Sequence, residues 1–184
     1  MRIEKKEFNK KFSNKIINNK INKKAALELS FGTIFSIILI VFFIFIAIIV
    51  INSFLDVQDC AKLGIFLDSF RSDITKSWNS QYDKHTFKSS LPGKLDYVCI
   101  ANLSQPLEGK FKEVGKDLEF FEGKKANLFF VPRAKACEIP YHYIDHLDNE
   151  KIVSVNNPNC FPVENGNIIL NVEKGLNDRF VNIR

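Results

Sequence analysis

The sequence predicts an α+β protein: one long N-terminal transmembrane and amphipathic helix, followed by a small antiparallel β-domain. Three observations carry this. Residues Phe31–Ile51 form a 21-residue run with no charge and no proline, in which only Thr33 and Ser36 carry polar side chains. From Leu55 to Trp78 apolar residues recur near helical spacing among charged ones. Beyond Gly93 the pattern changes to short alternating segments separated by turn residues, as in strands.

Residues 1–24 read as a basic cytoplasmic tail. Phe8, Phe12 and Ile16 stand four apart, as in an amphipathic helix lying on an anionic leaflet, but five asparagines between Asn9 and Asn22 disfavour helix. A solvated tail is the expectation. Residues 25–54 read as the transmembrane helix, because the Phe31–Ile51 run at the helical rise spans about 30 Å, the thickness of a hydrocarbon core. A helix buried in a soluble core would keep a polar stripe, and this run has none. It also exceeds a secretory h-region, and Asn52-Ser53-Phe54-Leu55 offers no small-x-small cleavage point.

Charge then orients the chain. The net charge is +5, but residues 1–30 hold nine Lys/Arg against three acids and residues 52–184 hold 17 against 18. The excess therefore precedes the helix, which places the tail inside and the C-terminal domain outside the cytoplasm. It also argues against a nucleic-acid binder, which would need a basic domain surface. The lipid bilayer is the implied partner.

Residues 55–78 continue the helix, so that one helix is expected from about Leu27 to about Ser77. Leu55, Leu63, Phe66, Leu67, Phe70, Ile74 and Trp78 give it an apolar stripe. Residues 79–93 read as a polar linker ending in a Pro92-Gly93 turn. Residues 94–184 form the extracytoplasmic β-domain. Strands are expected near Leu95–Leu103, Leu118–Phe121, Ala126–Val131, Ile152–Val155, Phe161–Glu164, Asn167–Val172 and Phe180–Ile183. Asn165-Gly166 is the strongest hairpin signal.

All four cysteines, Cys60, Cys99, Cys137 and Cys160, lie after the apolar run, which suits two disulfides in an oxidising compartment. Three pairings are open. Proline-marked segments beside Cys137 and Cys160 favour joining those two, leaving Cys60 with Cys99. The absence of any C-x-x-C argues against a zinc or redox pair. Asn102-Leu103-Ser104 is the only glycosylation sequon, and strand alternation would turn Asn102 away from Cys99.

Catalytic signals are weak. His142 and His146 stand four apart, but Tyr143 occupies the place where a zincin needs glutamate, and Glu138, Asp145 and Asp148 are unspecific company. A Cys137–His142 nucleophile pair is disfavoured by expected oxidation. No P-loop, G-x-S-x-G or G-x-G-x-x-G occurs. The expectation is a non-enzyme without cofactor or metal.

The segment Lys23-Lys24-Ala25-Ala26-Leu27-Glu28-Leu29-Ser30-Phe31-Gly32 resembles the class III signal of archaeal type IV pilin-like proteins. The phrases LELSFGTIFSIILI and SLPGKLDYVC are similar to small uncharacterised archaeal membrane proteins. The pilin resemblance covers about 55 residues of helix. It implies cleavage after Ala25, a mature chain starting at Ala26, and a Glu28 carboxylate that pairs with a neighbour's amino terminus in a filament. Here Glu28 would be the third mature residue, whereas the pilin glutamate is usually the fifth. An uncleaved signal-anchor, with Glu28 at the headgroup level, is the alternative. Gly32 and Ser36, small residues four apart, suit self-association of the helix in lipid. The role expected is structural or adhesive at the cell surface, with a tethered ligand-binding sensor or an ectoenzyme as alternatives.

Overall fold

The computed structural model describes residues 31–138 and 140–184. The predicted processing residues Lys24, Ala25, Ala26 and Glu28 lie outside these. In chain order the elements are α1 (Phe31–Asn79), β1 (Asp83–Ser90), β2 (Tyr97–Ile100), α2 (Lys112–Lys116), a 3-10 turn (Glu119–Phe121) and β3 (Leu128–Val131). A second 3-10 turn (Arg133–Lys135), β4 (Tyr141–His142), α3 (Asn149–Val153), β5 (Asn159–Pro162), β6 (Asn167–Lys174) and β7 (Asn182–Ile183) follow. The fold is α+β, as the sequence predicts.

The chain divides into two compact units, one ending at Val50 and the other running from Ile51 to Arg184. The described part of the first is all helix, and every residue of it is exposed. Its side chains are chiefly Ile, Phe and Val, and α1 is the one described helix long and apolar enough to cross a membrane.

In the second unit α1 changes character. Leu63, Phe66, Leu67, Phe70, Ile74 and Ser77 are buried, at intervals of one, three and four that keep them on one face. Two antiparallel sheets meet this face. One has the order β1-β6-β7 and the other β4-β3-β2-β5. Phe66 is the joint between them. Its ring stacks on Phe70 at 5.6 Å and meets the edges of Phe87 on β1 and Phe130 on β3 at 6.1 and 5.8 Å.

The two sheets differ in how they are covered. In the three-stranded sheet β6 alternates exposed and buried residues along most of its length, with Ile168, Leu170 and Val172 turned to the core. In the four-stranded sheet β3 is buried throughout. Leu128 and Phe130 join the main core, while Phe129 and Val131 join a second cluster with Leu118, Phe121, Cys99 and Cys160. The segment carrying α2 and the first 3-10 turn caps that second face.

Five expectations are corrected. The polar stretch 79–93 is no linker, because β1 lies within it and pairs along its whole length with β6, from Asp83 opposite Lys174 to Ser90 opposite Asn167. Leu118–Phe121 is not a strand; it closes as a 3-10 turn, with Phe121 N–H donating to Leu118 O at 2.8 Å. Ile152 and Val153 belong to α3, whose first turn is capped by Asp148, a carboxylate accepting from Lys151 N–H at 3.1 Å. Asn165-Gly166 does form a tight turn, with φ of 51° and 71° and two mutual bonds between Glu164 and Asn167. That turn does not make a hairpin of β5 and β6, however; it hands the chain from the four-stranded sheet to the three-stranded one.

The fifth concerns the disulfides. Cys60 pairs with Cys137, and Cys99 with Cys160. The expected Cys137–Cys160 and Cys60–Cys99 links fail because β2 and β5 are direct neighbours, with Cys99 opposite Cys160 in register and Cα atoms 4.0 Å apart. Cys60 sits on α1, where the segment after β3 brings Cys137 to it.

Candidate functional site

Three polar features of the folded unit are built by residues brought together from distant parts of the chain. The first is a cleft of about 320 Å³ lined by Asp56, Asp59, Cys60, Lys94, Ala134, Lys135 and Cys137. The helix supplies the acids and Cys60, the β1–β2 connection supplies Lys94, and the turn after β3 supplies the rest. Lys94 Nζ donates to Asp56 Oδ1 at 2.9 Å and pairs with Asp59 Oδ2 at 3.3 Å. The hydrogen bond from Lys94, and then its charge, hold the Asp56 carboxyl below the usual range. The bonds to Asp56 and Asp59 push Lys94 up. Asp56 and Lys94 are open to solvent and Asp59 is half-buried, so the pairs contribute little to stability.

At the C-terminal end of α1 a chain of hydrogen bonds joins helix to sheet. His85 on β1 reaches Asp73 Oδ2 through Nε2 at 2.8 Å and Asp83 Oδ1 through Nδ1 at 3.3 Å. The wholly buried Ser77 donates its hydroxyl to Asp83 Oδ2 at 2.7 Å. Burial is the strongest single influence on His85 and disfavours its charge, yet the bonds and charges of Asp73 and Asp83 together outweigh it and raise its pKa. Beside this cluster Lys174 from β6, only 9% exposed, donates to Trp78 O and Ser80 O, each at 2.6 Å. An ammonium at a helix C-terminus satisfies orphan carbonyls and complements the helix dipole.

The third feature is the surroundings of the two histidines that the sequence singles out. His142 on β4 accepts through Nε2 from the Arg71 guanidinium on α1. Burial first, and then the Arg71 charge, lower its pKa and so favour the neutral ring. His146, at φ 68°, stacks its ring on Trp78 at 3.8 Å. Asp148, one of the candidate co-ligands, is occupied as the α3 cap. The pair is thus split between two separate contacts with α1. Among the described residues no group of three or more His, Cys, Asp or Glu is arranged to hold a metal ion.

Of the other predicted site residues, Cys137 is oxidised, so it offers no thiolate to pair with His142. Asn102 falls beyond the end of β2, so the strand alternation that would have set its direction does not reach it. Its N–H donates to Asn157 Oδ1 at 3.0 Å, and its own Oδ1 accepts from Ser104 N–H at 3.1 Å, leaving it half-buried in an Asx turn. Sequence reading missed Asp73, Asp83, His85 and Lys174. The spacing of Asp83, His85 and Phe87 is a period-two signal, but a polar one. Compared with protein-family models, with curated proteins and with solved structures, the chain matches none.

Proposed function

We propose that this chain is a single-pass membrane protein whose disulfide-stapled β-domain stands outside the cytoplasm in a structural or adhesive role. One observation carries the reading. The helix that holds an exposed, uncharged run long enough to cross a bilayer also holds, further along, the Phe66–Phe70–Ile74 face buried in the β-domain. The apolar run and the face that enters the domain core therefore belong to one helix. Two disulfides and no free cysteine among the described residues suit an oxidising compartment. The polar groups of the His85 cluster and the Lys174 cap are spent on one another and on helix carbonyls, as in a scaffold.

The basic excess before residue 31 supports a cytoplasmic tail. A pilin-like filament subunit is the finer form of the proposal, and it rests on the Lys24-Ala25-Ala26 segment and Glu28. N-terminal sequencing of the protein from its own membranes tests it. A start at Ala26 supports the filament subunit; an intact Met1 removes it and leaves a permanently anchored surface domain. Protease added outside intact cells tests the location, because a domain that survives until the cells are opened overturns the extracytoplasmic reading.

A further inference from the structure

The two disulfides stand in opposite environments. Cys99 and Cys160 are buried between neighbouring strands, under the cap formed by Leu118 and Phe121. Cys60 and Cys137 are both half-buried, and both line the open cleft that also holds Asp56, Asp59, Lys94, Ala134 and Lys135. Thiol–disulfide exchange requires an incoming thiolate to reach a sulfur, so access separates the two bonds. Charge does not close the cleft. Its two acids are matched by its two lysines, leaving an approaching thiolate no net repulsion.

The segment carrying Cys137 is also lightly held. Arg133, Ala134 and Lys135 are exposed, and the backbone bonds of Lys135 and Ala136 N–H go to Pro132 and Arg133 within the same turn. Ala136 is the buried member. Cys137 itself is held at φ 55°, a left-handed conformation that costs a non-glycine residue energy and that a released chain need not keep.

The geometry points to Cys60–Cys137 as a site of thiol–disulfide exchange whose co-substrate is a dithiol reductant entering through the cleft. The thiolate of the dithiol bonds one sulfur of the pair, and the other leaves as a thiolate and takes a proton. The second thiol of the reductant then attacks the first reductant sulfur, closing a disulfide within the reductant and expelling the bound protein sulfur as a thiolate, which takes a proton. Two electrons and two protons pass to the protein, leaving Cys60 and Cys137 as thiols and Cys99–Cys160 intact. The Arg133–Cys137 segment is thereby freed from α1.

The test is graded reduction of the full chain in detergent micelles with dithiothreitol, followed by acid quenching, alkylation and peptide mass spectrometry. The expected result is labelling of Cys60 and Cys137 at least about tenfold faster than Cys99 and Cys160, with an unchanged circular dichroism spectrum. Equal rates, faster opening of Cys99–Cys160, or labelling only when the spectrum collapses would each overturn the proposal. A second arm uses Ala134→Trp, an exposed position on the cleft wall. Several-fold slower labelling of Cys60 and Cys137 is expected; an unchanged rate in a folded variant shows that the cleft is not the route and sinks the idea.

Discussion

Single residues decide how the core and the helix end are made. Phe66 is wholly buried and touches Phe70, Phe87 and Phe130, so it joins α1 to a strand of each sheet. Phe66→Ala should cost about 3–5 kcal/mol, by lost transfer energy and a cavity that rigid neighbours cannot fill. Chemical denaturation of the detergent-solubilised chain measures this. A loss under ~1 kcal/mol would mean that the two sheets do not share this joint. Lys174 is a different case, because its ammonium serves two carbonyls at the end of α1. Lys174→Met keeps most of the side-chain volume but orphans Trp78 O and Ser80 O, and should cost about 1–3 kcal/mol. Unchanged stability in that variant would show that water serves those carbonyls as well.

The two histidines should respond to pH in opposite directions. His85 has a raised pKa in the folded chain. Its contribution is therefore complete below the ordinary value of 6.5 and is lost as pH rises through the higher folded value. His142 has a lowered pKa, so its contribution is present above 6.5 and is lost as pH falls toward the folded value. The two effects partly cancel in the native chain and separate only in variants. His85→Gln should destabilise more at about pH 5.5 than at about pH 8, and equal losses at both would contradict the Asp73–His85–Asp83 arrangement.

At the scale of elements, β1 is the instructive one. Its sequence, Asp83-Lys-His-Thr-Phe-Lys-Ser-Ser90, has a single large apolar residue, so hydrophobic alternation cannot announce it. The strand alternates nevertheless, with Asp83, His85, Phe87 and Ser89 more enclosed than their neighbours. Three of those inward groups are polar, and two of them, His85 and Asp83, find their partners, Asp73 and Ser77, on α1. A polar strand face is stable only when another element satisfies it, and that element is remote in sequence. The short helix α3 is the converse. Ile152 and Val153 look like strand residues, but Asp148 caps the turn before them, a local signal that was available in Asp148-Asn149-Glu150-Lys151. Asp148→Ala should cost about 1 kcal/mol, read from denaturation midpoints. No change would assign α3 to tertiary packing alone.

The whole molecule raises the question of orientation. Nine basic residues against three acids precede the apolar run, and the domain beyond is close to neutral. Replacing Lys10, Lys11, Lys15, Lys20, Lys23 and Lys24 with glutamine should scramble orientation, giving a mixture in which part of the C-terminal domain is shielded from external protease. Uniform export in that variant would remove charge as the determinant and shift the burden to the apolar run itself.

What the sequence by itself determined are the features governed by local composition and period. An uninterrupted apolar run, a charge step across it, a helical stripe from Leu63 to Ile74 and a left-handed Asn-Gly turn are each readable within a few residues, because each answers to solvent or to backbone geometry nearby. The presence of disulfides was legible too, from four cysteines placed beyond the run. Their pairing was not, because it depends on β2 and β5 becoming neighbours and on the turn after β3 reaching α1. The same holds for the cleft around Cys60 and for the His85 cluster. Each joins groups that local preference leaves unpartnered, and only the packing of one helix against two sheets brings them within reach.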